Sequence, residues 1–269
     1  MSPGLAAYSV ISVLGEGVRG ITYRANTPDS VATLSNSVAV TVFRDLRTAD
    51  QLATCHADLE TIRNLELGRL NRIHSIDETD GRLVQVSEYA RMGSLARPSR
   101  PLTREHVLRA LRDAGSGLAS LHAAGFVHGG VSPANVLLGE RGGLLADPRP
   151  RLLEQSGTLL APGPFDASLY AVAPEVLRGQ LPTIASDVWS FGAALHRALT
   201  GEHLYRIAGS PDAIDALDAA LTGPIMMTGP LRPVEAALIA SCIADDPADR
   251  PTSMSDVVAS LDVLFERAP

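Results

Sequence analysis

Residues 128–138 read His128-Gly129-Gly130-Val131-Ser132-Pro133-Ala134-Asn135-Val136-Leu137-Leu138. Two glycines and a proline in close succession break any helical or strand period, so the first part is a loop. The last part turns apolar and β-branched, which predicts a short strand directly after Asn135. The polar groups left in the loop are an imidazole, a hydroxyl and an amide. It therefore holds neither a carboxylate that could accept a proton nor a cation that could stabilise developing negative charge.

Outward from this loop, the chain divides by character. Downstream, Pro and Gly punctuate residues 140–182 so densely that this stretch is predicted to be mostly loop. It contains Ala146-Asp147-Pro148-Arg149 and Ala173-Pro174-Glu175. Asp187-Val188-Trp189-Ser190-Phe191-Gly192 then opens an apolar helix reaching residue 199. Further helices are predicted at about 212–222, 231–244 and 253–265, the last preceded by Asp245-Asp246-Pro247-Ala248-Asp249-Arg250-Pro251-Thr252. Upstream, Thr103 is placed to cap a helix that runs to His122 and ends at Gly125. Strands are predicted at 8–14, 20–25, 38–43, 72–77 and 83–87, with a helix at 49–67 and a tight turn at Asp80-Gly81. A β-rich part of about 1–88 and a helical part of about 89–269 predict an α+β, two-lobed domain.

Composition restricts the function. Of 269 residues, 45% are hydrophobic and 20% charged, ordinary for a packed globular chain. The net charge of −7 argues against a nucleic-acid groove and a polybasic membrane surface. Cys55 and Cys242 stand far apart in no metal-type spacing, and reduced, packed thiols in a cytosolic compartment are expected. His56, His74, His122, His196 and His203 likewise show no metal spacing. No apolar run reaches the roughly 18 residues of a membrane span, and the first ten residues lack a basic region before an apolar one. A soluble cytoplasmic module is expected.

In their order along the chain these motifs resemble those of bacterial, actinobacterial-type Ser/Thr protein kinases over nearly the whole length. Leu14-Gly15-Glu16-Gly17-Val18-Arg19-Gly20 is similar to the Gly-rich loop, set between two strands, with Gly15, Gly17 and Gly20 as its glycines. Thr22 stands where the family has an apolar residue beside the adenine. The resemblance puts Thr41 at the position of the phosphate-binding Lys, Glu60 (or Glu66) at that of its helical partner, and Ser87 at the gatekeeper. Gly129, Gly130 and Ser132 fall where the family carries the catalytic loop's Arg, its proton-accepting Asp and its Lys. Asn135 and Asp147 match the magnesium ligands, although Pro148 and Arg149 replace the Phe and Gly that follow. Glu175 and Arg250 match a buried ion pair, and Asp187 matches the residue bracing the catalytic loop.

What the resemblance implies, with these replacements, is a pseudokinase: not an enzyme, without cofactor or metal, and acting as a signalling scaffold. Its expected partners are an upstream Ser/Thr kinase and a phosphothreonine-reading forkhead-associated (FHA) domain. Thr252 is the first candidate phosphosite, against the alternative that it caps the last helix, and Thr158 is the second. The other expectation is an atypical enzyme that binds nucleotide through Gly15, Gly17, Asn135 and Asp147, with Arg19, Arg149 or Arg151 as substitute cation. A narrower similarity, to the kinase-like intracellular domains of mycobacterial MviN-type (MurJ-like) peptidoglycan lipid flippases, implies tethering to an inner-membrane transporter and regulation of cell-wall synthesis.

Overall fold

A computed structural model describes residues 8–17, 20–27, 35–44, 49–79, 81–148, 170–205 and 213–266. The chain folds as two compact units, a β-rich one and a helical one that takes in residues 67–70 and the chain from Ala90 to Arg149 and from Ala167 onward.

The β-rich unit is an antiparallel sheet of β1 (Val10–Gly17), β2 (Gly20–Asn26), β3 (Ser37–Phe43), β4 (Ile73–Thr79) and β5 (Arg82–Glu88) in the order β1-β2-β3-β5-β4. Alternation decides which side chains share a face. Ala25, Val38, Val40, Val42, Val84 and Val86 form one apolar cluster, joined by Tyr8 and Tyr23. The intervening positions turn Thr22, Thr41, Gln85 and Ser87 to the opposite face, through the pairings Thr22↔Thr41 and Thr41↔Gln85. Helix α1 (Ala49–Asn64) buries Leu52, Cys55, Leu59 and Ile62, spaced every three or four residues as a single helical face requires. It stops short of the predicted residue 67, and Glu66 turns to φ 46° beyond its end. The predicted turn at Asp80-Gly81 retains Gly81 at φ 70°, while Asp80 lies outside the described residues.

The helical unit is organised on α2 (Arg104–Ala123). Thr103 accepts the N–H of His106, whose ring returns a contact to the Thr103 backbone, and Gly125 follows at φ 84°. One side of α2 packs on the hairpin of β6 (Val136–Gly139) and β7 (Gly142–Leu145). The packing is backbone to backbone: a Cβ on Gly143 would overlap the carbonyl of Ala110. Within 140–182, expected to be mostly loop, the described residues include strand β7 and the short α3 (Pro174–Leu177). Gly142-Gly143 reads as a breaker, yet here it lets the hairpin reach the helix.

Next come α4 (Ile184–Thr200), capped by Thr183 and ended by Gly201, then α5 (Ala213–Thr222), α6 (Pro233–Cys242) and α7 (Met254–Glu266). Trp189, Phe191 and Leu195 on α4 are fully buried, and α7 packs on the other side of α2. Cys55 and Cys242 are both buried and neither is in a disulfide; burial pushes the Cys242 thiol up to about 12, so it stays protonated. Among the described residues no helix is long and apolar enough to cross a membrane.

Candidate functional site

The loop at residues 128–135 is held by one carboxylate. Asp187, in the first turn of α4 and 1% exposed, accepts the N–H of His128 at 2.7 Å and of Gly129 at 2.9 Å, and meets the His122 ring at 2.9 Å. Gly129 sits at φ 65°, a conformation that a side chain would strain. The fully buried His128 ring accepts the Gly130 N–H through Nδ1 and faces the Ala146 carbonyl through Nε2 at 3.0 Å. With Nδ1 accepting, Nε2 carries the proton and donates to that carbonyl. Asn135 closes the loop, donating from Nδ2 to the Gly130 carbonyl at 2.7 Å. Its own carbonyl takes the Ala146 N–H at 2.8 Å.

These bonds fix both polar groups of Ala146, and the next residue, Asp147, is half-buried at φ 62°. A non-glycine residue in the left-handed region has to be held there by its surroundings. The loop thus presents two oxygen-bearing side chains, Asn135 and Asp147, from a rigid frame. Oxygen donors suit a hard cation such as Mg²⁺, which takes its remaining ligands from water and phosphate. Among the described residues no cluster of three metal-ligating side chains exists, so these two would hold such an ion only together with a phosphate ligand. Position 130 offers no side chain, and Ser132 is 3% exposed with its hydroxyl oxygen unpartnered, so neither supplies a base or a cation.

In the β-rich unit, Thr41 is buried and its hydroxyl lies 3.0 Å from that of Thr22 on the adjacent strand. The Thr22 hydroxyl is therefore partnered by that of Thr41. Buried Gln85 donates to Ser87 at 2.8 Å from its side-chain amide, whose oxygen has no partner. Glu60 pairs with Arg63 one turn along the same helix at 2.6 Å, and Glu66 lies past the helix end. Gly15 faces open space, room of the kind a phosphate needs near a backbone, and a Cβ at Gly20 would overlap the Val42 carbonyl. Gly17 closes β1, while Val18 and Arg19 lie outside the described residues, as do Arg149, Arg151 and Thr158.

At the far end of the chain Arg250 is buried and forks onto Glu175 at 2.6 and 3.0 Å. It also donates to the carbonyls of Ala244 and Ala185. This joins α3 to the segment that leads into α7. Thr252 follows in a bend, exposed. The alternative that Thr252 caps α7 is corrected by the structure: Ser253 accepts the Asp256 N–H at 3.2 Å and donates to its carboxylate at 2.8 Å. A serine three residues ahead of an acidic residue at a helix start is the signal in the sequence that places the cap at Ser253.

Comparison with known proteins covers nearly all of this architecture. The protein tyrosine and serine/threonine kinase family matches residues 8–261. Serine/threonine-protein kinase PknJ of Mycobacterium tuberculosis is 29% identical over 264 residues, spanning 93% of this chain and 44% of that protein. PknK of the same organism is 30% identical over 274 residues, spanning 94% of this chain and 23% of that one. The chain thus spans less than half the length of these curated relatives. A crystal structure of the M. tuberculosis PknI kinase domain superposes with TM-score 0.66 at 20% identity, covering 98% and 97% of the two chains, and shares the fold. The expectation that the chain is not an enzyme is corrected by these matches, because the relatives are named as serine/threonine protein kinases. The α+β, two-lobed architecture with a five-stranded sheet is the kinase fold. Over residues 8–261 this chain belongs to the protein tyrosine and serine/threonine kinase family.

Proposed function

We propose that this chain is a kinase-family signalling domain with weak phosphoryl transfer of its own, whose main output is phosphorylation-dependent docking through Thr252. The observation that carries the docking half is the state of Thr252. It is exposed, it is relieved of capping duty by Ser253, and it stands immediately ahead of α7. A phosphate there adds strong acceptor oxygens near the free N–H groups of a helix start. An FHA-type reader would take the phosphothreonine, delivered by an upstream Ser/Thr kinase. If the domain is tethered to a MurJ-like transporter, as the narrower resemblance implies, such docking would act on cell-wall precursor export.

The catalytic half is supported by the braced loop, which keeps Asn135 and Asp147 in place. When bound, Mg²⁺–nucleotide would supply the transferable phosphate, and these two residues would orient it. Gly130 cannot take the hydroxyl proton, and a general base contributes about 10²–10⁴-fold. Transfer is expected to be slower by at least that factor.

The test combines two assays. Binding of a phosphothreonine-reading FHA domain is measured before and after treatment with an active Ser/Thr kinase, with Thr252→Ala alongside. Binding that appears with phosphate and is lost in the variant supports docking; binding unaffected by the variant removes Thr252 from the proposal. Transfer of labelled phosphate from Mg-ATP is measured for the chain and for Asp147→Ala. Slow transfer that disappears in the variant supports the catalytic half, and transfer that persists overturns it.

A further inference from the structure

The helical unit carries a groove of about 670 Å³ between the first half of α2, the β6–β7 turn and the end of α7. Its rim holds Arg69, Arg104, Arg109, Arg112, Arg141 and Arg232 against three carboxylates, those of Glu105, Asp113 and Asp262. With the buried Glu235 behind Arg104, six guanidiniums face four carboxylates, a net positive surface on a chain of net charge −7. Neither the loop at 128–135 nor Thr252 belongs to it.

The arginines fall into two groups. Four are held by internal pairs: Arg104 forks onto the buried Glu235, Arg112 onto Asp262 at 2.8 and 3.4 Å, Arg109 meets Glu105 at 2.8 Å, and Arg69 reaches Asp113 at 3.5 Å and the Arg141 carbonyl at 3.1 Å. Burial would raise the Glu235 carboxyl, but the Arg104 hydrogen bond and the Arg232 N–H take it below its ordinary value, so that pair stays charged. Each guanidinium has five N–H donors, and these pairs leave some of them unused. The side chains of Arg141 and Arg232 are exposed and lie beyond 4 Å of any carboxylate among the described residues, although the Arg232 charge also helps to lower the Glu235 carboxyl. Leu108, Leu264 and Phe265 give the groove an apolar strip beneath this rim.

The geometry points to this groove as a docking site for an acidic peptide segment of a partner protein. Charge complementarity argues for that occupant, because planar guanidinium forks match carboxylates bidentately. Holding four of them in place beforehand lowers the entropy lost on binding. The half-buried Phe265, above the buried Leu108 and Leu264, offers an apolar contact to an aliphatic residue of such a segment, and the groove is of ligand-pocket size. Arg141 and Arg232 grip the segment, while Arg69, Arg104 and Arg112 set its path.

The experiment uses the whole chain and a fluorescent peptide of alternating aspartate and leucine, read by anisotropy. A second peptide carries lysine for aspartate, and phosphatidylserine vesicles form a separate arm. Saturable binding of the acidic peptide that weakens with salt, and weakens roughly tenfold or more in an Arg141→Glu/Arg232→Glu double variant, supports the site. Both positions are exposed, so an unchanged melting curve confirms that the variant is folded. Equal binding of the lysine peptide, no binding up to about 1 mM, or binding indifferent to the double variant overturns it. Vesicle capture without peptide binding also overturns it, in favour of a lipid surface.

Discussion

The hydroxyls of Thr22 and Thr41 lie 3.0 Å apart across β2 and β3, so each is engaged by its strand neighbour. Thr41 is 5% exposed, whereas Thr22 keeps access to water. Thr22→Val strands a buried hydroxyl and should cost about 1–3 kcal/mol; Thr41→Val should cost about 1 kcal/mol or less. The double Val variant should be more stable than Thr22→Val alone. Urea denaturation of the three variants checks this, and a double variant at the sum of the two singles would falsify the pairing.

Ser253 and Thr252 are adjacent hydroxyl residues with different duties. Ser253→Ala removes the cap of α7 and should destabilise by about 1 kcal/mol, while Thr252→Ala should stay within roughly 0.5 kcal/mol. Thermal melts of both decide the matter. A larger cost at Thr252 would return the capping role to it and weaken the docking proposal.

Arg250 and Glu175 form a pair with almost no access to water. Glu175→Gln leaves the guanidinium buried without its counter-charge and should cost about 3–5 kcal/mol. Glu175→Gln/Arg250→Met, which removes both charges, should recover part of that loss. A Glu175→Gln protein as stable as the parent in guanidinium titration would refute this.

His203 stacks on Tyr170 with ring centroids 3.9 Å apart. Burial, with the Arg197 and His196 charges, lowers its pKa from 6.5 to about 4. The unfolded chain therefore takes up this proton first as pH falls. The contribution of His203 is fully present above about pH 6.5 and declines between 6.5 and 4. His203→Phe keeps a stacking ring without the proton site and should flatten the stability-versus-pH curve in that window. Parallel curves for parent and variant would show that His203 does not contribute.

The sheet was legible because Val38, Val40, Val84 and Val86 alternate with the small or polar Ala39, Thr41, Gln85 and Ser87, and alternation is what a strand buried on one face needs. The register was not legible. Nothing in the spacing of Thr22 and Thr41 announces that they face each other, since loop length and cross-strand packing set it. Strand β7 was hidden for a related reason: glycines that disfavour a strand locally were required there by a neighbour far away in sequence. In the loop at 128–135, residue types revealed which chemistry is absent. The left-handed backbone of Asp147 and the two bonds fixing Ala146 emerge only from the fold.

The contact between Gly143 and the Ala110 carbonyl has a consequence for how the gene tolerates change. Position 143 belongs to a four-residue strand beside a surface turn, where a substitution scan would be expected to pass most side chains. Here even alanine must push the hairpin off the helix, and the hairpin carries Ala146 and Asp147 at its end. A saturation library should find position 143 as intolerant as the buried Trp189, although no side chain is there to be lost.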